Sequence, residues 1–162
     1  MRACSFSGHR AIKVEHLKHV SQLIMRAINY AYDNGVRTFY TGGAIGFDTL
    51  AARQVILFKM SHPDVRLHLI SPCINQADNW SHSQQQTYDF IMKNSDHVEF
   101  VSDEYKDGCM QMRNRRLVDE CDMLVVYLSR QNTGTGQTTR MAEKMGKTVF
   151  NLYPTLQKLE KA

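Results

Sequence analysis

The segment "MLVVYL" at 123–128 most constrains the fold. Six consecutive apolar or aromatic residues have no polar face, so a strand built from them must be covered on both sides. Such strands belong to parallel sheets whose crossover helices pack on both faces. The rest of the chain carries the matching alternation. The segments 2–6, 36–41, 65–71, 97–102 and 148–153 read as further strands. Between them lie helical patterns over about 14–33, 48–60, 81–95, 109–121 and 134–145. Strands alternating with helices predict an α/β domain, doubly wound around a mostly parallel central sheet.

The apolar stripe Leu17, Val20, Ile24, Ala27, Ile28 and Ala31 gives the first helix one buried face, and Asn34-Gly35 stops it. The apolar residues of 48–60 nearly encircle that helix, which predicts deep burial. Pro72 is expected to end the third strand. A length of 162 residues suits a single domain over 1–162, with a short tail over about 154–162 that can be helical. No apolar run approaches a membrane span, and "MRACSFSGHR" lacks a secretory apolar stretch. Cys4, Cys73, Cys109 and Cys121 form no CxxC pair, and Cys4 and Cys121 read as core thiols. A reducing cytoplasm is the expected compartment. The net charge of +4 suits an anionic ligand and is too weak for a nucleic-acid coat.

In doubly wound sheets, ligands bind beyond the carboxyl ends of the strands. Three unusual loops occupy such positions and are expected to converge on one edge. "TGGAIGFD" (41–48) carries Gly42, Gly43, Ala44, Gly46 and Asp48. Its glycines permit close backbone approach, and its amides can form an anion nest at a helix start. The alternative is a tight turn with Asp48 as a helix cap. The sequence is neither GxGxxG after the first strand nor a Walker A loop, which argues against a standard NAD dehydrogenase and a P-loop ATPase. "NTGTGQTT" (132–139) offers Thr133, Gly134, Thr135, Gly136 and Thr138 at a second helix start. "SGHR" supplies Ser7, Gly8, His9 and Arg10 after the first strand, with His9 able to donate to a phosphate or move a proton.

In "MRNRRLVDEC", Arg113 and Asn114 share the buried face with Leu117 and Val118. A buried arginine needs an anionic partner, either a ligand phosphate or a carboxylate such as Asp48 or Asp122. Arg115 and Arg116 point outward, with Arg116 placed to pair with Glu120. Trp80 either stacks on a ligand ring or roofs the core. His16 and His19 are spaced to share a metal but have no third ligand nearby, so they are read as exposed, and no metal site is assigned.

These motifs, in this order, resemble the SLOG superfamily and more narrowly its YpsA/YoqJ-like branch. The carriers are "SGHR", "TGGAIGFDTLAA", Pro72, Gln76 and Trp80, "MRNRRLVDECDMLVV" and "TGTGQTTRMAEKMGK", which cover nearly the whole chain. The resemblance implies a Rossmann-like three-layer sandwich and a nucleotide or nucleotide-derived phosphate ligand. Gly42, Gly43 and Gly46 match the phosphate-binding glycines, Gly8 and Arg10 the first loop, Arg113 and Asn114 the Arg-Asn pair, and Gly134 with Thr135 the Gly-Gly-Thr loop. Thr133 stands where that loop's first glycine is usual. The superfamily also includes LOG phosphoribohydrolases and DprA-type DNA-uptake proteins. They make an N-glycosidase and a single-stranded DNA binder the alternative functions, and homo-oligomerisation compatible with the resemblance. The hydrolase signature PGGxGTxxE is incomplete, because its proline and glutamate have no counterparts. The resemblance therefore implies binding, with a sensing or regulatory role, ahead of hydrolysis.

Overall fold

The structure is a computed structural model that describes residues 1–161. Six strands form one parallel sheet: β1 (Ala3–Gly8), β2 (Thr38–Thr41), β3 (Arg66–Cys73), β4 (His97–Ser102), β5 (Met123–Tyr127) and β6 (Thr148–Asn151). Their order is β4-β3-β2-β1-β5-β6. The chain winds outward from β1 to β4, then returns to place β5 on the other side of β1. The order thus reverses between β1 and β5, which is where such sheets open a crevice.

Strand β5 shows why both faces are covered. Met123, Val125 and Tyr127 join one core with α1 (Val20–Asp33), α2 (Phe47–Lys59), α3 (His82–Lys93) and α6 (Tyr153–Glu160). Leu124, Val126 and Leu128 join a second core with α4 (Cys109–Glu120) and α5 (Gly134–Lys144). Period-two alternation divides one apolar run between two helical layers. All four cysteines are buried and free.

Several boundaries differ from the sequence expectation. A short 3-10 helix at Val14–His16 precedes α1, which leaves Leu17 exposed. His16, expected on the surface, is fully buried. Its Nδ1 lies 2.6 Å from the Tyr127 hydroxyl and its Nε2 lies 2.5 Å from Glu160 Oε1. The cause is tertiary: α6 folds the expected tail back over the end of β5, and Tyr153 and Glu160 enclose the imidazole. Ala162, the last residue of that tail, lies outside the described residues.

Helix α2 is not buried all round, since Leu57 is 55% and Met60 81% exposed. Pro72 does not end β3, which continues to Cys73. Strand β2 stops opposite Leu69, so Pro72 lies where β3 pairs only with β4 and its missing amide interrupts no bond to β2.

Aromatic rings fix the entry of α2. Phe47 stacks on Tyr127 at 6.0 Å and packs against Phe6 at 6.5 Å. A Cβ on Gly8 would overlap the Phe47 ring. Gly8→Ala is therefore expected to cost about 1–3 kcal/mol through overpacking, measured by urea unfolding. An unchanged midpoint would show that Phe47 can move aside.

Candidate functional site

A cleft of about 370 Å³ opens between the carboxyl ends of β1 and β5. One wall is the end of β1 and its loop, from Ser7 through Ala11. Ala44 and Asp48 lie on it from the glycine loop and the start of α2. Helix α4 presents Met110, Gln111, Arg113 and Asn114, and the loop after β5 presents Arg130. The start of α5 contributes Thr133, Gly134, Thr135 and Gln137. The three strand-end loops thus meet at the β1/β5 reversal.

Gly42, Gly43, Gly46, Gly136, Thr138 and Trp80 stand outside this lining. Gly42 has a different task. A Cβ there would overlap Arg113 Nη1, and its carbonyl accepts that nitrogen's hydrogen bond at 2.7 Å. Two amides of the glycine loop are committed internally. Gly43 N–H donates to Thr41 Oγ1 at 3.3 Å, and Ala44 N–H donates to Asp48 Oδ2 at 3.4 Å. Gly43 packs against Leu69 and Tyr88, Gly46 against the Arg10 backbone, and Gly136 against the Gln131 backbone. Thr138 Oγ1 donates to the Gly134 carbonyl at 2.8 Å. Trp80 packs edge-on against Tyr88.

Further free donors occur at α5, besides the Ile45 and Gly46 amides of the glycine loop, which also have no partner among the described residues. Thr133 is its N-cap, with Oγ1 accepting from the Gly136 amide at 3.1 Å. The amides of Gly134 and Thr135 have no hydrogen-bond partner among the described residues. They occupy the first helical turn, where intrahelical partners do not exist and the helix dipole favours an anion. Asn114 Nδ2, from the middle of α4, lies beside Gly134 at the start of α5.

Arg113 is 4% exposed. Its Nε donates to Asn114 Oδ1 at 2.9 Å and its Nη1 to the Gly42 carbonyl, so both contacts are neutral acceptors. Among the described residues it forms no ion pair. Nη2 has no hydrogen-bond partner there. Burial lowers its pKa, and the charge of Asp48 opposes that shift. Asp48 is 5% exposed, and burial raises its carboxyl to about 6 against the opposing pull of Arg113 and the Ala44 amide.

His9 orients the β5 loop. Its Nε2 accepts the Ser129 amide at 2.9 Å, so that nitrogen carries no proton. Burial, then the Arg130 charge, lowers its pKa and keeps the ring neutral. Arg116 is also more than a solvated side chain. It pairs with Glu120 as its spacing implied, and it spans to Glu99 on β4 with bonds of 2.8 and 2.9 Å. Gln111, Arg130 and Gln137 were not singled out from sequence. Gln111 precedes Asn114 by three positions and Gln137 follows Gly134 by three, so helical spacing from the recognised residues would have found both.

The YpsA family model, described as the YspA SLOG family, matches residues 6–155. The chain belongs to this family. Among YpsA-like relatives, a UPF0398 protein of Bacillus cereus strain G9842 is 20% identical, over 97% of this chain and 94% of its own length. A UPF0398 protein of Halalkalibacterium halodurans is 24% identical, over 83% of this chain and 76% of its own. The X-ray structure of DNA processing protein A (DprA) from Streptococcus pneumoniae matches 93% of this chain with a TM-score of 0.66 and 20% identity. DNA processing protein A from Helicobacter pylori, described as binding single-stranded DNA, matches 93% with a TM-score of 0.64 and 18% identity. This YpsA-family chain spans 50% and 64% of those two chains. The likeness establishes a shared Rossmann-like fold. No helix among the described residues is long and apolar enough to cross a membrane.

The Asp48 shift sets a pH dependence. Its folded pKa of about 6 exceeds the ordinary aspartate value of 3.8, so the folded state binds more protons between those values. Its contribution to stability therefore falls as pH rises from about 4 to about 6, by roughly 3 kcal/mol. His9 acts oppositely, because its lowered pKa costs stability as pH falls below 6.5. Comparing wild type with Asp48→Asn isolates the carboxyl. The variant should gain roughly 3 kcal/mol relative to wild type between pH 4 and pH 7 in urea unfolding. A pH-independent difference would refute the assignment.

Proposed function

We propose that the cleft binds a nucleotide or nucleotide-derived phosphate ligand. The observation that carries this reading is a buried arginine held by neutral acceptors, in the same cleft as two unpartnered amides at a helix start. A guanidinium removed from water costs several kcal/mol unless it is closely paired, and the Asp48 charge acts on Arg113 without a direct ion pair. A phosphate in the cleft would supply the missing charge, and α5 would supply donors fixed in advance. Arg10 and Arg130 add two positive charges to the lining against the one carboxyl of Asp48. In this reading the amides of Gly134 and Thr135 hold phosphate oxygens, Arg113 balances their charge, and Asn114, Ser7 and Arg10 orient the phosphate or ribose.

The family membership and the shared fold support the reading, because the cleft lies where doubly wound sheets take their ligands. The assignment to a nucleotide follows from the SLOG resemblance of the loops. The assignment to an anion follows from the geometry.

AMP, NAD and ADP-ribose are the first probes, by thermal shift and calorimetry. At least one is expected to raise the melting temperature. Arg113→Ala should then weaken its binding about tenfold or more, since a charge-assisted contact is worth about 1.5–3 kcal/mol. No shift with any of them, or unchanged affinity in the variant, would overturn the reading. Chromatography of the same mixtures separates binding from hydrolysis. Intact nucleotide is expected, and released base would reassign the protein as an N-glycosidase.

A further inference from the structure

Asp48 is anomalous in a cleft suited to an anion. Its Oδ2 accepts from the Ala44 amide, while its Oδ1 is buried without a hydrogen bond of good geometry, the Gly8 amide being the other main-chain donor acting on the carboxylate. It lines the same cavity as Arg10, Arg113, Gly134 and Thr135. The charged groups acting on it are Arg113 from α4 and Arg10 from the loop after β1. From β2, Thr41 touches only its main-chain carbonyl, and Tyr88 of α3 packs beneath Gly43. His9 and Arg130 complete the titratable and charged lining.

A phosphate entering this space meets a negative carboxylate. Two like charges about 4–6 Å apart cost on the order of 3–4 kcal/mol at an effective dielectric near 20, and one of a close carboxylate pair gives way by taking a proton. Arg10, Arg113 and Arg130 offset part of the clash, and what remains is relieved by a proton on the protein or on the ligand. Arg113 does not titrate in this range, and His9 Nε2 is occupied by the Ser129 amide. Asp48 Oδ1 can accept a proton while Oδ2 keeps the Ala44 amide.

We propose that Asp48 is the proton acceptor of this cleft, so that a phosphate ligand is bound together with one proton drawn from solvent. The inference rests on the phosphate reading above and adds its regulation: affinity rises as the pH falls. No covalent bond to the ligand forms or breaks, and the proton passes from water or buffer to the carboxyl. Burial already holds the Asp48 pKa at about 6, within reach of neutral pH, and an adjacent anion raises it further. A protonated carboxyl also carries an O–H donor, which replaces a repulsive neighbour with one that can donate.

The test is calorimetry of AMP and of inorganic phosphate binding at pH 7, in two buffers of different ionisation enthalpy, with wild type and Asp48→Asn. ADP-ribose is run alongside them, because its pyrophosphate diester lacks the second ionisation near pH 6 of a phosphate monoester, and proton uptake with that probe therefore reports on Asp48. Wild type should take up roughly half a proton to one proton more than the variant. Its affinity should fall, relative to the variant, by up to about tenfold per pH unit above neutrality. Equal proton uptake with AMP bound would overturn the proposal and leave the phosphate reading intact. Failure of all three probes with both proteins from pH 5 to 8 would overturn the two together. Should Asp48→Asn fail to fold, the carboxyl carbon resonance of Asp48 in wild type is titrated with and without AMP. A midpoint raised by at least one pH unit is expected, and an unmoved midpoint with AMP bound contradicts the proposal.

Discussion

Arg113 is taken out of water without being neutralised, and the surrounding architecture follows from that. Its guanidinium rests on a backbone carbonyl and an amide oxygen. Hydrogen bonds to a charged group are worth about 1.5–3 kcal/mol each. Two of them approach the several kcal/mol lost on desolvation but leave the charge in place. Gly42 must be glycine for the guanidinium to reach the carbonyl. Asp48 approaches from α2 without closing an ion pair, which leaves both charges influenced by each other and committed to nothing. In the proposed reading, an incoming anion would complete this arrangement.

The sheet makes this arrangement rigid. Reversal of winding between β1 and β5 separates the ends of two neighbouring strands, and their loops form opposite walls. Stacking of Phe47 on Tyr127 ties the start of α2 to the end of β5, while His9 ties the β1 loop to Ser129. Beneath them His16 and Glu160 hold α6 against Tyr127. Donors placed by packed elements need little reordering when a ligand arrives, which lowers the entropic cost of binding.

The apolar run of β5 made the parallel sheet legible, and the loops after β1, β2 and β5 were expected to converge and do line one cleft. The buried face of α4 singled out Arg113 through its spacing from Leu117. What the sequence could not show was which donors would be used up internally. Glycine content suggested that the loop after β2 offers its amides, yet Thr41 and Asp48, both local in sequence, take those of Gly43 and Ala44. His16 was misjudged because its partners lie 111 residues away at Tyr127 and in α6. A hydroxyl and a carboxylate brought in by tertiary folding leave no trace in the local pattern. Leu17 failed for the related reason that a 3-10 turn broke the helical phase before α1.

The anion seat proposed for this cleft lies at the start of α5 opposite Arg113, rather than at the Gly43 and Ala44 amides after β2. Amide-proton and nitrogen shifts followed by NMR during titration with AMP test this most directly. The largest saturable changes are expected at Gly134 and Thr135, with the Arg113 side chain responding and Gly43 and Ala44 moving little. Changes centred on residues 42–46, with the α5 amides silent, would contradict it.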